Sequence, residues 1–430
     1  MFKGSFLIAN CCYNYMFAAD TDKKGSDHLV ETRPSSCAIP DGSDAKFLWE
    51  ISDAGNGSYH IRNGQYGYIF AADKDKSDND HLVEARPDAT SSDLSQDKFK
   101  WRISKAGNYY AIENVKYGAT FAADSDSKDG DHIVEASPEA SASDKGQVKF
   151  KWMFFDEYAL CNWMKQLNGS NSLASFSIPG THDSGARYGG SAVEAQTRTL
   201  ADQMNAGVRF LDIRCRHSEN HFSIFHGVVY QNMNFQDVLD QCYSFLSTNP
   251  TEMLIMSVKD EGGGDQPVGT FQQQFETYIA STRSQWFLDN RIPSLDEVRG
   301  KIVLLRRFPA DTLPLGLAGN PGWKDNDTFV INAPPIVLDV QDLYNTTDAD
   351  KKWDAVKGML DRSKSSEPSC LFINFASAVG GGVIPNPKEM ADQINPKLVD
   401  YFVANRGRFG VIPMDFNFAN ISGVIVNSNF

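Results

Sequence analysis

Eight short, β-rich apolar runs punctuate the C-terminal part of the chain, and each runs into a polar residue. They are Ala174 to Ile178 into His182, Val208 to Ile213 into Arg214, Phe222 to Phe225 into His226, and Glu252 to Val258 into Lys259. Lys301 to Leu305 runs into Arg307, Ile336 to Val340 into Asp342, Leu371 to Phe375 into Ser377, and Phe409 to Met414 into Asp415. Near-continuous apolar runs bounded by turns suit parallel strands buried on both faces. In a barrel of parallel strands the loops after the strand C-termini build one mouth, so these scattered polar residues are expected to converge. The chain is therefore expected to end in an α/β barrel of TIM type.

The N-terminal part has a different period. Phe17-Ala-Ala-Asp20, Phe70-Ala-Ala-Asp73 and Phe121-Ala-Ala-Asp124 align with one another, as do His28-Leu-Val-Glu31, His81-Leu-Val-Glu84 and His132-Ile-Val-Glu135. Lys46-Phe-Leu-Trp49, Lys98-Phe-Lys-Trp101 and Lys149-Phe-Lys-Trp152 complete three units that start near Gly4, Gly57 and Gly107, a repeat of about fifty residues. Each unit reads as about four short strands between Gly, Asn and Asp turns. Three such units predict an all-β domain, a β-trefoil, with Phe17, Phe70 and Phe121 stacked against Trp49, Trp101 and Trp152. The expected organisation is a trefoil over residues 1–156 followed by the barrel over residues 157–430. In general shape the repeats resemble trefoil lectin and actin-crosslinker modules. They contain no Gln-x-Trp sugar signature, so a glycan or protein ligand for this domain rests on fold analogy.

At 430 residues the chain is long enough for two separate cores. Its net charge of −14 argues against a partner that tracks nucleic-acid phosphates. No apolar run is long enough to span a bilayer, so membrane contact is expected to be peripheral. Met1 to Asn10 lacks the pattern of a signal peptide, which leaves a cytoplasmic or non-classically secreted protein as the expectation. The seven cysteines follow no disulfide spacing, and Cys215, inside a strand, reads as a packed thiol. Asp20-x-Asp22 with Gly25 and Glu31 superficially matches a calcium loop, but Lys24 stands where an oxygen ligand belongs, and the other repeats put Asp78 and Asp129 where the sharp-turn Gly should be. His217 and His221 would need a carboxylate at ligand spacing to form a zinc set with His226, and none is present. Alternation allows Asp339 to face the barrel interior, and no role is assigned to it.

Two histidines at one barrel mouth can act as base and acid in a single displacement. Arg214, between them in sequence, brings a fork of donors that suits the non-bridging oxygens of a phosphoryl group. Such a set is suited to cleaving a phosphodiester with an internal hydroxyl.

The motifs Ile178-Pro-Gly-Thr-His-Asp-Ser-Gly185, Phe210-Leu-Asp-Ile-Arg214, His226-Gly227 and Asn249-Pro-Thr-Glu252 leading into Ser257-Val-Lys259 occur in the order of a known family. Gly300-Lys-Ile-Val-Leu-Leu-Arg-Arg307, Val340-Gln-Asp-Leu-Tyr344, Ile373-Asn-Phe375 and Met414-Asp415 continue that order. Together they resemble the bacterial phosphatidylinositol-specific phospholipases C over nearly all of residues 160–430. The resemblance implies an irregular TIM-type barrel. It makes His182 the general base toward the inositol 2-hydroxyl, oriented by Asp415, and His226 the general acid toward the diacylglycerol oxygen, coupled to Asp183. Arg214 would hold the phosphate, with Asp212 as its partner. Lys259, Arg307 and Asp342 would hydrogen-bond the inositol while Tyr344 stacks on it. The implied products are diacylglycerol and inositol 1,2-cyclic phosphate, from phosphatidylinositol or a glycosyl-phosphatidylinositol. An arginine in the place where metal-dependent relatives gather carboxylates implies catalysis without a metal cofactor.

The partner implied is a membrane containing phosphatidylinositol. Secreted members display tryptophans around the mouth, whereas Arg187 to Glu194 and Gly380 to Asn386 contain none. Tyr188 and Val383-Ile384 are left as weaker anchors, and the trefoil becomes the alternative carrier of targeting. Two rivals stand beside this reading: a metal-dependent glycerophosphodiester phosphodiesterase or phospholipase D-like barrel, and an inactive barrel that serves a trefoil binding module.

Overall fold

The computed structural model describes residues 4–10, 15–24, 27–34, 48–64, 67–77, 80–86, 93–106, 109–128, 131–137, 148–156, 160–381, 385–417 and 419–430. The chain divides into two compact units, Met1–Leu160 with Leu398–Asn405, and Cys161–Lys397 with Arg406–Phe430.

In the first unit each repeat contributes four strands to one antiparallel sheet. They are Gly4–Asn10, Tyr15–Lys24, Asp27–Pro34 and Leu48–Gly55; then Ser58–Asn63, Ile69–Ser77, Asp80–Arg86 and Trp101–Ala106; then Tyr109–Asn114, Thr120–Lys128, Asp131–Ser137 and Trp152–Asp156. The first and fourth strands of the repeats pair in turn until Trp152–Asp156 returns to Gly4–Asn10, closing a ring of six. The second and third strands form three hairpins, and their outer strands also pair with one another. Every hairpin shifts register just after its Ala-Ala pair, at Ala19/Lys23, Ala72/Lys76 and Ala123/Ser127. A bulge at one point of each unit bends the hairpins alike.

The expected aromatic core is present. Phe17 stacks on Trp49 at 4.1 Å, Phe70 on Trp101 at 4.4 Å, and Phe121 on Trp152 at 4.2 Å between ring centroids. The three phenylalanines meet edge to face at 5.0–5.1 Å. Each buried indole N–H donates to the carbonyl of its own phenylalanine, at 2.9–3.0 Å, so no indole N–H is stranded in the apolar centre. The side chains of the calcium-like pattern, together with Gly25, Asp78 and Asp129, lie outside the described residues.

The second unit is built on a parallel sheet. Its strands run in the order Ile302–Arg307, Leu254–Asp260, Phe210–Ser218, Ser177–Thr181, Gly410–Met414, Leu371–Asn374 and Ile336–Gln341. Leu254 to Val258 is buried throughout, as a parallel strand covered on both faces must be. Helix Phe235–Thr248 shows how the cover forms. Asn234 and Asp237 make a capping box at its start, and Phe235, Val238, Leu239, Cys242, Phe245 and Leu246 form one buried stripe. Cys215 is buried, as a packed thiol should be. Among the described residues no helix is long and apolar enough to cross a membrane.

One expected barrel strand is not parallel. His221–His226 turns back and pairs antiparallel with Phe210–Ser218, then with Val229–Asn234, as a three-strand meander on the barrel edge. The short connection from Ser218 to His221 permits a hairpin and cannot hold a crossover. Among the described residues seven parallel strands therefore stand in place of the expected eight, with the two-residue pieces Trp286–Phe287 and Leu317–Ala318 beside Ile302–Arg307. At the other end of the sheet Thr328–Ala333 pairs antiparallel with Ile336–Gln341. Among the described residues no strand pairing joins these two ends, so the barrel is irregular.

Candidate active site

The strand ladder sets three cations side by side. Arg214 is in register with Lys259, and Lys259 with Arg307, so all three project at one level of adjacent parallel strands into the same cleft. The cleft holds about 530 Å³ and is also lined by His182, His226, Asp342, Tyr344 and Asp415. Like charges in a row need counter-charges. Asp212, two residues before Arg214 and on the same face, is fully buried and meets Arg214 Nε at 3.3 Å and Arg307 Nη1 at 3.2 Å. Burial would raise its carboxyl pKa, but the two guanidiniums outweigh burial and hold it below the usual range. Arg214 is itself pushed above the ordinary arginine value, because Asp183 and Asp212 outweigh burial.

His182 follows the strand Ser177–Thr181. Its Nδ1 pairs with Asp415 Oδ1 at 2.7 Å, and its Nε2 lies 2.6 Å from Arg214 Nη2. A guanidinium can only donate, so Nε2 accepts there and the ring proton sits on Nδ1, facing Asp415. Burial favours the neutral ring, but Asp415 outweighs burial and Arg214, so the pKa of His182 is raised. Gln196 grips the backbone beneath, donating to the carbonyls of His182 and Met414 at 2.9 Å each.

His226 ends the meander strand. Its Nδ1 is 2.7 Å from the Val193 carbonyl and 3.4 Å from Asp183 Oδ2. Asp183 is fully buried, its other close charge is Arg214 Nε at 3.5 Å, and among the described residues neither of its oxygens has a hydrogen bond. Burial raises its pKa, and Arg214 and His226 offset that only in part. The structure thus brings together His182, Asp183, Asp212, Arg214, His226 and Asp415, with Lys259, Arg307, Asp342 and Tyr344 around the same cleft. Tyr344 donates its hydroxyl to Asp325 at 2.9 Å. Asp339 faces away from the mouth and is held by Arg362 at 3.0–3.1 Å. Among the described residues no group of three or more His, Cys, Asp or Glu is placed to hold a metal ion.

Residues 171–308 match the family model described as phosphatidylinositol-specific phospholipase C, X domain. A 1-phosphatidylinositol phosphodiesterase of Staphylococcus aureus is 33% identical over 293 residues, which cover 62% of this chain and 94% of that protein. The chain belongs to the phosphatidylinositol-specific phospholipase C family. A Listeria monocytogenes 1-phosphatidylinositol phosphodiesterase is 32% identical over 290 residues, covering 62% of this chain and 85% of its own length. Among solved structures, one of the S. aureus phospholipase C, from work on the modulation of its membrane binding, superposes with a TM-score of 0.59 at 31% identity, over 63% of this chain and 98% of that one. The L. monocytogenes phospholipase C structure gives a TM-score of 0.53 at 25% identity, over 63% and 99%.

The cleft of this phospholipase C family member is also supported by residues to which the sequence reading gave no role. Glu261 pairs with Lys259 at 2.9 Å and stands 3.8 Å from Arg214, and those cations outweigh burial to lower its pKa. Alternation from Lys259 would have flagged it. Ser257 donates to Asp212 at 3.0 Å from one step deeper on the same strand. Trp323 lies 3.9 Å beneath the Arg307 guanidinium and donates to Asp342 at 3.2 Å. It sits in Gly-Asn-Pro-Gly-Trp, a loop without periodicity, where no pattern could have pointed to it. Tyr188 is exposed, while Val383-Ile384 lies outside the described residues.

Proposed function

We propose that the cleft cleaves the phosphodiester of phosphatidylinositol, or of a glycosyl-phosphatidylinositol, to diacylglycerol and inositol 1,2-cyclic phosphate by acid–base catalysis without a metal. Nε2 of His182 takes the proton of the inositol 2-hydroxyl, the freed oxygen attacks phosphorus, and the bond to the glycerol oxygen breaks. His226 gives that oxygen its proton. Arg214 donates to the non-bridging oxygens as their charge grows, the task a calcium ion would otherwise perform. Lys259, Arg307 and Asp342 hydrogen-bond the ring hydroxyls, and Tyr344 stacks on the ring. Slower hydrolysis of the cyclic ester uses the same pair with roles reversed.

One observation carries this reading: the proton-accepting nitrogen of His182 and the guanidinium of Arg214 meet at 2.6 Å, with Asp415 locking the opposite ring nitrogen. A base and an anion binder that share one point match the geometry of a hydroxyl attacking its neighbouring phosphate. An arriving phosphate draws the guanidinium onto its own oxygens and frees the Nε2 lone pair.

The N-terminal repeats, on this proposal, form a β-trefoil. The closed ring of six strands, the three mutually paired hairpins and the threefold aromatic core support that reading. Residues 1–156 would target a phosphatidylinositol-bearing membrane through a glycan or protein ligand, and residues 157–430 would catalyse.

Single substitutions test the catalytic reading. His182→Ala and His226→Ala are each expected to lower turnover of phosphatidylinositol by roughly 10² to 10⁴-fold while the far-UV spectrum is unchanged. Arg214→Lys should be severely impaired, since an ammonium does not reproduce the bidentate fork. A folded His182→Ala or His226→Ala variant that keeps most of its rate would overturn the reading.

A further inference from the structure

Arg216 lies two residues past Arg214 on the same strand and has no part in the chemistry proposed above. Its guanidinium bridges two loops at the mouth. Nη2 donates to the Gly227 carbonyl at 2.6 Å, Nε donates to the Gly262 carbonyl at 3.1 Å, and the planar group lies 3.9 Å over the ring of Phe225. Gly227 immediately follows His226, and Phe225 immediately precedes it. Gly227 N–H also donates to Glu261 Oε1 at 3.2 Å, so both backbone polar groups of this residue are held by side chains, the carbonyl by Arg216 and the N–H by Glu261.

The corner has reason to need such a clamp. Gly227 has φ +55 and a Cβ there would touch nothing within 4 Å, so beyond the hairpin pairing of His226 with Val229 no side chain packs against the turn at this residue. Val228, next in the chain, is 86% exposed. The strand His221–His226 lies outside the run of parallel strands and is paired on both sides by hairpins alone. Val193 O and Asp183 orient the imidazole of His226, but neither restrains the backbone that carries it.

We propose that Arg216 is a positioning residue for His226: by tying Gly227 to Gly262 and stacking on Phe225, it holds the proton donor at the place where the leaving oxygen departs. This rests on the general-acid role of His226 given above. A misplacement of about 1 Å can cost on the order of 10²-fold. Lysine cannot substitute, because one ammonium on a flexible stem does not span two carbonyls while lying flat on a ring.

The test separates leaving groups. Departure of an alkoxide needs its proton, whereas p-nitrophenolate leaves without one. Soluble alkyl and p-nitrophenyl esters of inositol 1-phosphate are compared for wild type, Arg216→Ala, Arg216→Lys and His226→Ala, with folding checked by near-UV spectra and melting temperature. Both Arg216 variants are expected to lose at least about tenfold in kcat on the alkyl ester and less than about threefold on the aryl ester, with KM little changed. His226→Ala should show the same asymmetry more strongly. If His226→Ala is asymmetric while the Arg216 variants lose equally on both esters, or lose nothing, Arg216 does not act through the acid and the proposal fails. Recovery by Arg216→Lys would also overturn it, since charge alone would then suffice. If His226→Ala itself shows no asymmetry, the general-acid reading falls instead. Should Arg216→Ala be unstable, Arg216→Lys decides by the same comparison.

Discussion

At the scale of single residues the site depends on ion pairs that divide protons unequally among neighbours. The pKa of His182 is raised from 6.5, with Asp415 outweighing both burial and Arg214, so protonation of the free enzyme's base sets in at a higher pH than for an ordinary imidazole. The acidic limb of kcat/KM is therefore expected above pH 6.5, and Asp415→Asn should move it to lower pH while reducing the plateau. The amide removes the charge that favours the imidazolium and no longer fixes the tautomer. A pH profile that does not shift would show that another group sets the limb. The same raised pKa contributes stability below the unfolded value that is lost as pH rises through the folded one, so Asp415→Asn should cost more stability at pH 5 than at pH 9.

At the scale of elements, much of the mouth was legible because a parallel strand places its chemistry at its C-terminal end, which links His182, Lys259, Arg307 and Asp415 through one rule. Arg214 sits inside its ladder, because that strand continues past it to Ser218 as half of a hairpin. The same continuation explains the misassigned strand at His221–His226: four apolar-rich residues read alike in a parallel or an antiparallel partner, and only the length of the connection separates them. Trp323 and Gln196 were not legible, since they act from loops where neither alternation nor helical period constrains the sequence.

Helix Ala349–Ser365 contains a second unread device. Lys352 is buried, and its ammonium donates to Gln341 Oε1 at 3.1 Å and to the Leu343 carbonyl at 2.8 Å, on either side of Asp342. Burial, offset in part by Asp342 and Asp415, lowers its pKa from 10.5 to about 7. For a base with a depressed folded pKa the unfolded chain binds more protons between those two values, so wild-type stability should rise across that range. Lys352→Met should abolish that rise in denaturant titrations at pH 7 and pH 10, and should raise KM for a soluble inositol phosphodiester more than it lowers kcat. An unchanged KM would remove Lys352 from the support of Asp342.

At the scale of the whole molecule the chain joins an aromatic-cored repeat domain to a phospholipase C barrel. Loss of one central ring, as in Phe70→Ala, is expected to cost about 3–5 kcal/mol of the repeat domain's stability, because the three Phe–Trp stacks share one centre. Calorimetry of the full chain would register it as a lowered transition. A fragment of residues 157–430 is expected to keep its rate on a soluble inositol phosphodiester and to lose activity on natural membranes, where targeting by the repeats raises local concentration. Equal losses on both would make the repeats a folding partner. The account's central claim is that two histidines and Arg214 expel diacylglycerol by internal attack without a metal. It is tested most directly by following phosphatidylinositol in detergent by phosphorus NMR with excess EDTA. The account predicts that the resonance of a five-membered cyclic phosphodiester appears first, at a rate EDTA does not change, and gives way slowly to inositol 1-phosphate. Activity that vanishes with EDTA and returns with calcium, or inositol 1-phosphate formed without the cyclic ester, would contradict it.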